Sequence, residues 1–176
     1  MEFTGERYLP TESGRIRLEH YHRYALAVDF VRNKTVLDIA CGEGYGSYLL
    51  AEGAHEVFGV DIDGQSISHA KSNYLKSNLK YLVGSASKIP FDDHKFDCIV
   101  SFETIEHLYE QETMVAELRW VLKPDGVLII SSPNRPVFQK TLVQPVEFHV
   151  REITKHDCGI DLLNSAKLFH FQTPFC

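Results

Sequence analysis

Short apolar runs alternate along this chain with stretches whose apolar residues recur at helical spacing. The runs have the length and apolar content of buried strands. They lie at residues 36–39, 56–61, 80–84, 97–102 and 127–131, the last after a Pro-Asp-Gly turn. Such alternation is typical of an α/β fold of the Rossmann-like, doubly wound type, whose sheet is mostly parallel.

The stretches between the runs predict helices with identifiable ends. Residues 45–52 form one helix, which Gly53 ends, and Asp63 can cap the start of the next. The strongest amphipathic pattern precedes the fifth strand, with Met114, Leu118 and Val121 on its apolar face. We assign residues 1–34 to a helical lid segment, 35–134 to the core of the same domain and 135–176 to a C-terminal segment.

A glycine-rich turn joins the first strand to its helix. Gly42, Gly44 and Gly46 alternate there, at the place where open α/β sheets bind ligands. Glycine lets the backbone adopt positive φ and approach a ligand closely. The alternative is a tight turn without a ligand, but three glycines between a strand and a helix favour a binding loop.

The residues around this turn indicate which ligand it binds. The spacing is G-x-G-x-G, and Ser47 stands where a dinucleotide fingerprint has its third glycine. Asp61, about 20 residues beyond Gly42, is placed to accept the hydroxyls of a ribose. Asp38, just before the turn, would repel a pyrophosphate and favour a cationic ligand. These features point to S-adenosylmethionine.

Composition narrows the partners and the location. The formal net charge is −6, and basic residues form no stripe of the kind that binds nucleic acid. No apolar run reaches the roughly 20 residues of a membrane span, and the first residues do not resemble a signal peptide. The four cysteines lack metal-ligand spacing. We therefore expect a cytoplasmic protein with no nucleic acid, membrane or metal partner.

Four stretches resemble, in order, the motifs of class I S-adenosylmethionine-dependent methyltransferases of the type 11 subgroup. They are VLDIACGEGYG, VFGVDID, GSASKIPFDDHKFDCIVSFETIEHL and LKPDGVLIISSPN. The resemblance implies S-adenosyl-L-methionine as cofactor and a small-molecule methyl acceptor. It places Asp38 and the backbone of Ala40, Gly42 and Gly44 at the methionine part, Asp61 at the ribose, Ile62, Ser85, Ala86 and Ser87 at the adenine, and Phe102 and Glu103 beneath the sulfur.

The chain departs from the family pattern at two places. Family members often carry Asp where Ser85 stands. After residue 134 the family continues through a further helix to an antiparallel strand pair, for which the remaining residues are tight. We therefore expect an atypical or truncated C-terminal segment, in which this pair is incomplete. The only candidate strand is LFHFQTPF, in residues 168–175. Without it the fifth strand would be an exposed edge, through which a homodimer could form.

Methyl transfer can proceed by alignment of the two substrates, so a general base is optional. Glu106 and His107 follow the fourth strand and are the candidates for proton transfer. A helix cap or core edge is the alternative role for His107. His20, His22 and Arg23 lie close together near the start of the chain. They could cover the cofactor's carboxylate or the acceptor, but we interpret them as a solvated helix face. Arg7 and Tyr8 are further candidates for covering the site.

Three functions stay open at this point. The first is a methyltransferase acting on a small molecule, and the second is a cofactor-binding protein with little or no turnover. The third is an NAD-dependent oxidoreductase, which Ser47 and Asp38 disfavour.

Overall fold

The computed structural model describes residues 15–133 and 167–173. Its helices are α1 (Arg15–Val28), α2 (Tyr45–Leu50), α3 (Gly64–Asn73) and α4 (Gln111–Val121), with a 3-10 turn at Ile105–His107. Its strands are β1 (Thr35–Ile39), β2 (Glu56–Asp61), β3 (Leu79–Val83), β4 (Phe96–Phe102), β5 (Leu122–Pro133) and β6 (Lys167–Thr173). Within the described ranges, no helix is both long and apolar enough to cross a membrane.

The strands form one sheet in the order β3-β2-β1-β4-β5-β6. All neighbouring pairs in this sheet are parallel. The strand order runs outward from β1 in one direction to β3 and in the other, through β4, to β6. The carboxyl ends of β1 and β4 therefore flank the point where the order reverses, which is where such sheets bind ligands.

The alternation of side chains along each strand builds a core on both faces of the sheet. Val36 packs on one face with residues of α1, α2 and α3, among them Ala27, Leu50 and Ile67. Leu37 packs on the other face with residues of α4, such as Leu118. The predicted doubly wound α/β fold is confirmed.

Strand β5 is longer at its start than the sequence pattern predicted. The Pro-Asp-Gly turn lies inside it, where the register with β4 shifts: Phe96 pairs with Leu122, and Cys98 then pairs with Val127. Gly126 is buried in this bulge, where a Cβ would lie 2.5 Å from Leu122. The irregularity accommodates the turn without ending the strand.

Strand β6 corrects the expectation for the C-terminal part. It lies in the predicted candidate stretch, but it runs parallel to β5, with Val127 opposite Lys167 and Pro133 opposite Thr173. Among the strands that the structure describes, no two pair antiparallel. Because β6 covers β5, the exposed edge on which the predicted homodimer depended is occupied. The rest of the C-terminal segment, residues 134–166 and 174–176, and the candidates Arg7 and Tyr8 lie outside the described residues.

Candidate functional site

The loop between β1 and α2 has an unusual backbone. Ala40, Gly42 and Gly44 have φ angles of 62°, 55° and 88°. Glu103, which directly follows β4, has a φ of 48°. Left-handed conformations are unfavourable for residues with a Cβ, and such strain clusters at ligand sites. Ala40 and Glu103 thus mark the carboxyl ends of two adjacent strands as a candidate site.

The glycines of this loop have different roles. A Cβ on Gly42 would meet nothing within 4 Å, so this residue borders open space. A Cβ on Gly44 would lie 2.6 Å from Ala70 and 2.8 Å from the Tyr81 ring. The Gly44 N–H donates to the Cys41 carbonyl, and its carbonyl accepts from the Tyr81 hydroxyl. A Cβ on Gly44 would thus point into the core, whereas Gly42 borders open space. The placement of the Gly44 backbone at the methionine part stays a prediction.

Asp61 links this loop to the end of β2. Its side chain is buried, and its Oδ2 accepts the Gly42 N–H at 2.8 Å. Its Oδ1 accepts the Asp63 N–H at 2.9 Å. A carboxylate oxygen can accept more than one hydrogen bond, so the same group can also receive the hydroxyls of a ribose.

An apolar side chain follows the end of β2, and a polar turn follows the end of β3. Ile62, directly after the buried strand β2, is 73% exposed. The turn after β3 contains Ser85, whose hydroxyl accepts the Ser87 N–H at 3.1 Å, and the buried Ala86. Because Asp61 pairs with Val83, Ile62 and this turn leave the sheet side by side.

Asp38 lies beneath the glycine loop and not on its open side. Only 1% of it is exposed. Its Oδ2 accepts a 2.6 Å hydrogen bond from the Ser47 hydroxyl, and the Tyr24 hydroxyl lies 3.2 and 3.3 Å from its two oxygens. Burial raises the pKa of Asp38 to about 7, although both hydroxyls favour its charged form. Asp38 therefore lies one layer below the surface of the loop, and its predicted place at the methionine part stays a prediction.

Helix α1 contributes buried polar residues to the same end of the sheet. Arg23 is 6% exposed, and its guanidinium lies 3.9 Å from the Glu103 carboxylate, which also accepts a 2.6 Å hydrogen bond from the Ser131 hydroxyl. Burial lowers the pKa of His20 to about 4, and the Arg23 charge adds to this effect. Of the predicted solvated face only His22 is exposed. The interpretation of His20 and Arg23 as solvated was wrong, because α1 packs over the strand ends.

The predicted proton-transfer residues lie in the 3-10 turn after β4. Glu106 is 1% exposed, whereas the His107 side chain is 32% exposed. The His107 Nε2 lies 3.9 Å from the Glu106 Oε1. Phe102, at the end of β4, is buried. Of the two candidates, His107 is thus the one that solvent reaches.

Sequence reasoning did not find Tyr24 as a partner of Asp38. The Tyr24 ring occupies the space where a Cβ of Gly46 would lie. A glycine inside a predicted helix can indicate that another group packs closely against the backbone there. The sequence does not tell which residue that is.

Known proteins similar to this chain identify its family. A family model described as a methyltransferase domain matches residues 37–130. A probable S-adenosylmethionine-dependent methyltransferase of Mycolicibacterium smegmatis is 31% identical over 180 residues, which cover 97% of this chain and 69% of that protein. The fatty-acid O-methyltransferase of the same organism is 30% identical over 121 residues, 67% of this chain and 43% of that protein.

A solved structure shows the same fold. The YcgJ protein from Bacillus subtilis superimposes with a TM-score of 0.66 at 26% identity, over 82% of this chain and 66% of that one. The chain belongs to the type 11 family of class I S-adenosylmethionine-dependent methyltransferases. The match to this chain spans 69% of the length of the first of these two relatives and 43% of the length of the fatty-acid O-methyltransferase.

Proposed function

We propose that this protein binds S-adenosylmethionine at the carboxyl ends of β1, β2 and β4 and methylates a small-molecule acceptor. The observation that carries the proposal is the backbone geometry at Gly42. This residue has a positive φ and open space where a Cβ would be, and its N–H is held by Asp61. A ligand can approach the backbone there while the neighbouring carboxylate accepts its hydroxyls.

The described residues fit the parts of this cofactor. The loop of Ala40 and Gly42 would lie along the methionine part, and Asp61 would accept the ribose hydroxyls. The exposed Ile62 would cover one face of the adenine, beside the turn at residues 85–87. Phe102 and Glu103 would lie beneath the sulfur. Burial of the apolar Ile62 surface by the ring would add to the affinity.

Most of the catalysis would come from alignment. When bound, the cofactor supplies a methyl group on a sulfonium, which a nucleophile attacks in line. The chain's part is to hold the two substrates in that line and to exclude water. His107 would take a proton from the acceptor, and the buried Glu106 would orient its ring. Both roles are proposals that kinetics can test.

The acceptor class is suggested by relatives. One is named a fatty-acid O-methyltransferase, so carboxylic acids and alcohols belong first in a substrate panel. Residues 1–34 would form the lid of the cofactor site. A cytoplasmic location and the lack of nucleic acid and membrane partners stay predictions from the sequence. The predicted homodimer loses its basis, because β6 occupies the β5 edge.

Thermal shift separates the three functions. S-adenosylmethionine and S-adenosylhomocysteine should raise the unfolding temperature, since a ligand at 100 times its Kd adds about 2.7 kcal/mol to stability. Stabilisation by NAD alone would reject the proposal. Methyl transfer to an acceptor of the panel should then be detected by mass spectrometry. Cofactor binding without transfer to any acceptor would favour a binding protein without turnover.

A further inference from the structure

We propose that Tyr24 is a positioning residue of the cofactor site, whose hydroxyl holds the Asp38 carboxylate beneath the glycine loop and makes α1 part of the site. The inference rests on the proposed function, because it concerns how the same site binds its cofactor. It extends the site to a residue of α1, whereas the site residues predicted from the sequence lie in or directly after the strands.

The hydroxyl contact joins two distant parts of the chain. Tyr24 comes from the middle of α1, and its oxygen lies 3.2 and 3.3 Å from the two oxygens of Asp38, which is in β1. Both side chains are buried. A hydroxyl in this position donates to the carboxylate and stabilises its charged form.

The ring of Tyr24 is fixed from several sides. It lies against Gly46 in α2, where any Cβ would collide with it. It also makes edge-to-face contacts with Phe102, at 5.0 Å between ring centroids, and with Tyr45, at 5.4 Å. These contacts set the hydroxyl at one place over β1. The same ring therefore touches Asp38, the helix after the loop and the residue that ends β4.

Among the buried groups that interact with one another around Asp38, we expect Asp38 to be the one that changes charge near neutral pH. Tyr24 of α1, Cys41 of the loop and Tyr81 of β3 interact with it, but burial raises the pKa of each well above its ordinary value, so they stay neutral. Asp61 of β2 faces Asp38 and raises its pKa, while the Ser47 hydroxyl of α2 lowers it. Tyr45 of α2 borders Tyr24.

This arrangement couples the Tyr24 hydroxyl to the affinity for a cationic ligand. A charged Asp38 beneath the loop attracts the ammonium and sulfonium groups of the cofactor, whereas a protonated one does not. Affinity should therefore rise with pH through the pKa of Asp38, which is about 7. Loss of the Tyr24 hydroxyl raises that pKa further, so the rise in affinity moves to higher pH.

Calorimetric titration of the whole chain with S-adenosylmethionine and S-adenosylhomocysteine, between about pH 5.5 and pH 8.5, tests the inference. For Tyr24→Phe the midpoint of the pH dependence should move upward by about half to one pH unit, with binding at pH 7 weaker by about two- to fivefold. Tyr48→Phe is the matched control. Its ring contacts Tyr74 and Lys76 on the far side of α2, and it should titrate as the wild type does.

A second variant reaches the same contact from the other side. Gly46→Ala displaces the Tyr24 ring while the hydroxyl is retained, and it should move the midpoint in the same direction. Gly53→Ala is its control, since a Cβ there would meet its nearest neighbour at 3.7 Å, an ordinary contact.

The outcomes separate this proposal from the proposed function. A wild type that binds, together with unchanged midpoints in Tyr24→Phe and Gly46→Ala, overturns the role of Tyr24. A wild type that binds neither ligand at any pH rejects the proposed function, and this inference with it. Weaker binding that is equal at every pH would indicate a merely structural role and would also overturn the proposal.

Discussion

The Gly42 N–H donates a 2.8 Å hydrogen bond to the Asp61 carboxylate, which ties the glycine loop after β1 to the end of β2. Helix α2 and the rest of β2 lie between the two residues in the sequence. Their contact places an open backbone and a hydrogen-bond acceptor side by side. This pair is the geometric basis of the proposed cofactor site.

Asp61→Ala should weaken binding of S-adenosylmethionine by roughly 10- to 150-fold, because charged hydrogen bonds of about 1.5–3 kcal/mol to the ribose are lost. Stability should also fall by about 1–3 kcal/mol, since the N–H groups of Gly42 and Asp63 lose their acceptor. Calorimetry and urea denaturation measure the two effects. Asp63→Ala is the control: it removes the α3 cap contact to Gln65 and should lower stability by about 1 kcal/mol without the loss of affinity. Unchanged affinity in Asp61→Ala would contradict the assignment.

Alanine at Gly42 should mainly weaken cofactor binding, whereas alanine at Gly44 should mainly lower stability. At Gly42 the Cβ enters open space, so we expect a stability loss of about 1–2 kcal/mol from the positive φ and a clear loss of cofactor affinity. At Gly44 the Cβ meets Ala70 and Tyr81, so overpacking of about 1–3 kcal/mol adds to the strain. Chemical denaturation and cofactor titration of both variants decide this. Equal affinity loss at equal stability in the two variants would refute the division of roles.

Asp38 should make the cofactor-free protein less stable as the pH rises from about 4 to about 7. Its pKa is 3.8 in an unfolded chain and about 7 in the folded protein. The folded state therefore binds the proton more tightly, and its advantage is lost as the pH rises through this window. The whole effect is at most about 4 kcal/mol, at 1.36 kcal/mol per pKa unit.

The comparison with Asp38→Asn isolates this effect, because the amide does not titrate. Urea denaturation at both ends of the window should show the wild type losing stability relative to the variant as the pH rises. A constant difference between the two proteins would mean that Asp38 titrates at its ordinary pKa.

His107→Ala should lower kcat by about 10²–10⁴-fold if His107 takes the acceptor proton, with an unchanged Kd for the cofactor. The control is His94→Ala, since His94 is exposed and lies just before β4, at the opposite end of that strand from His107. Steady-state kinetics with the acceptor found in the panel measures the effect. A kcat equal to that of the wild type would assign His107 the alternative role of a capping or core-edge residue.

The sequence alone determined the α/β class, the five central strands and the residues at the strand ends. Strands and helices differ in the period of their apolar residues, so pattern predicts the elements, and a parallel sheet then brings the carboxyl ends of β1, β2 and β4 to one edge. The positions of Asp61 and Ile62 follow from that geometry.

Only the tertiary structure decided what each of these residues touches. The loop contains three glycines of similar appearance, yet Gly42 borders open space, Gly44 packs on Tyr81 and Gly46 on Tyr24. The sequence predicts Asp38 at the ligand, but its side chain is buried beneath the glycine loop, because Tyr24 of α1 packs on it. The direction of β6 was likewise not encoded in its apolar pattern, since alternation is the same for both directions of a strand. Contacts between residues far apart in the chain depend on how the elements pack, and the local period of apolar residues does not determine this packing.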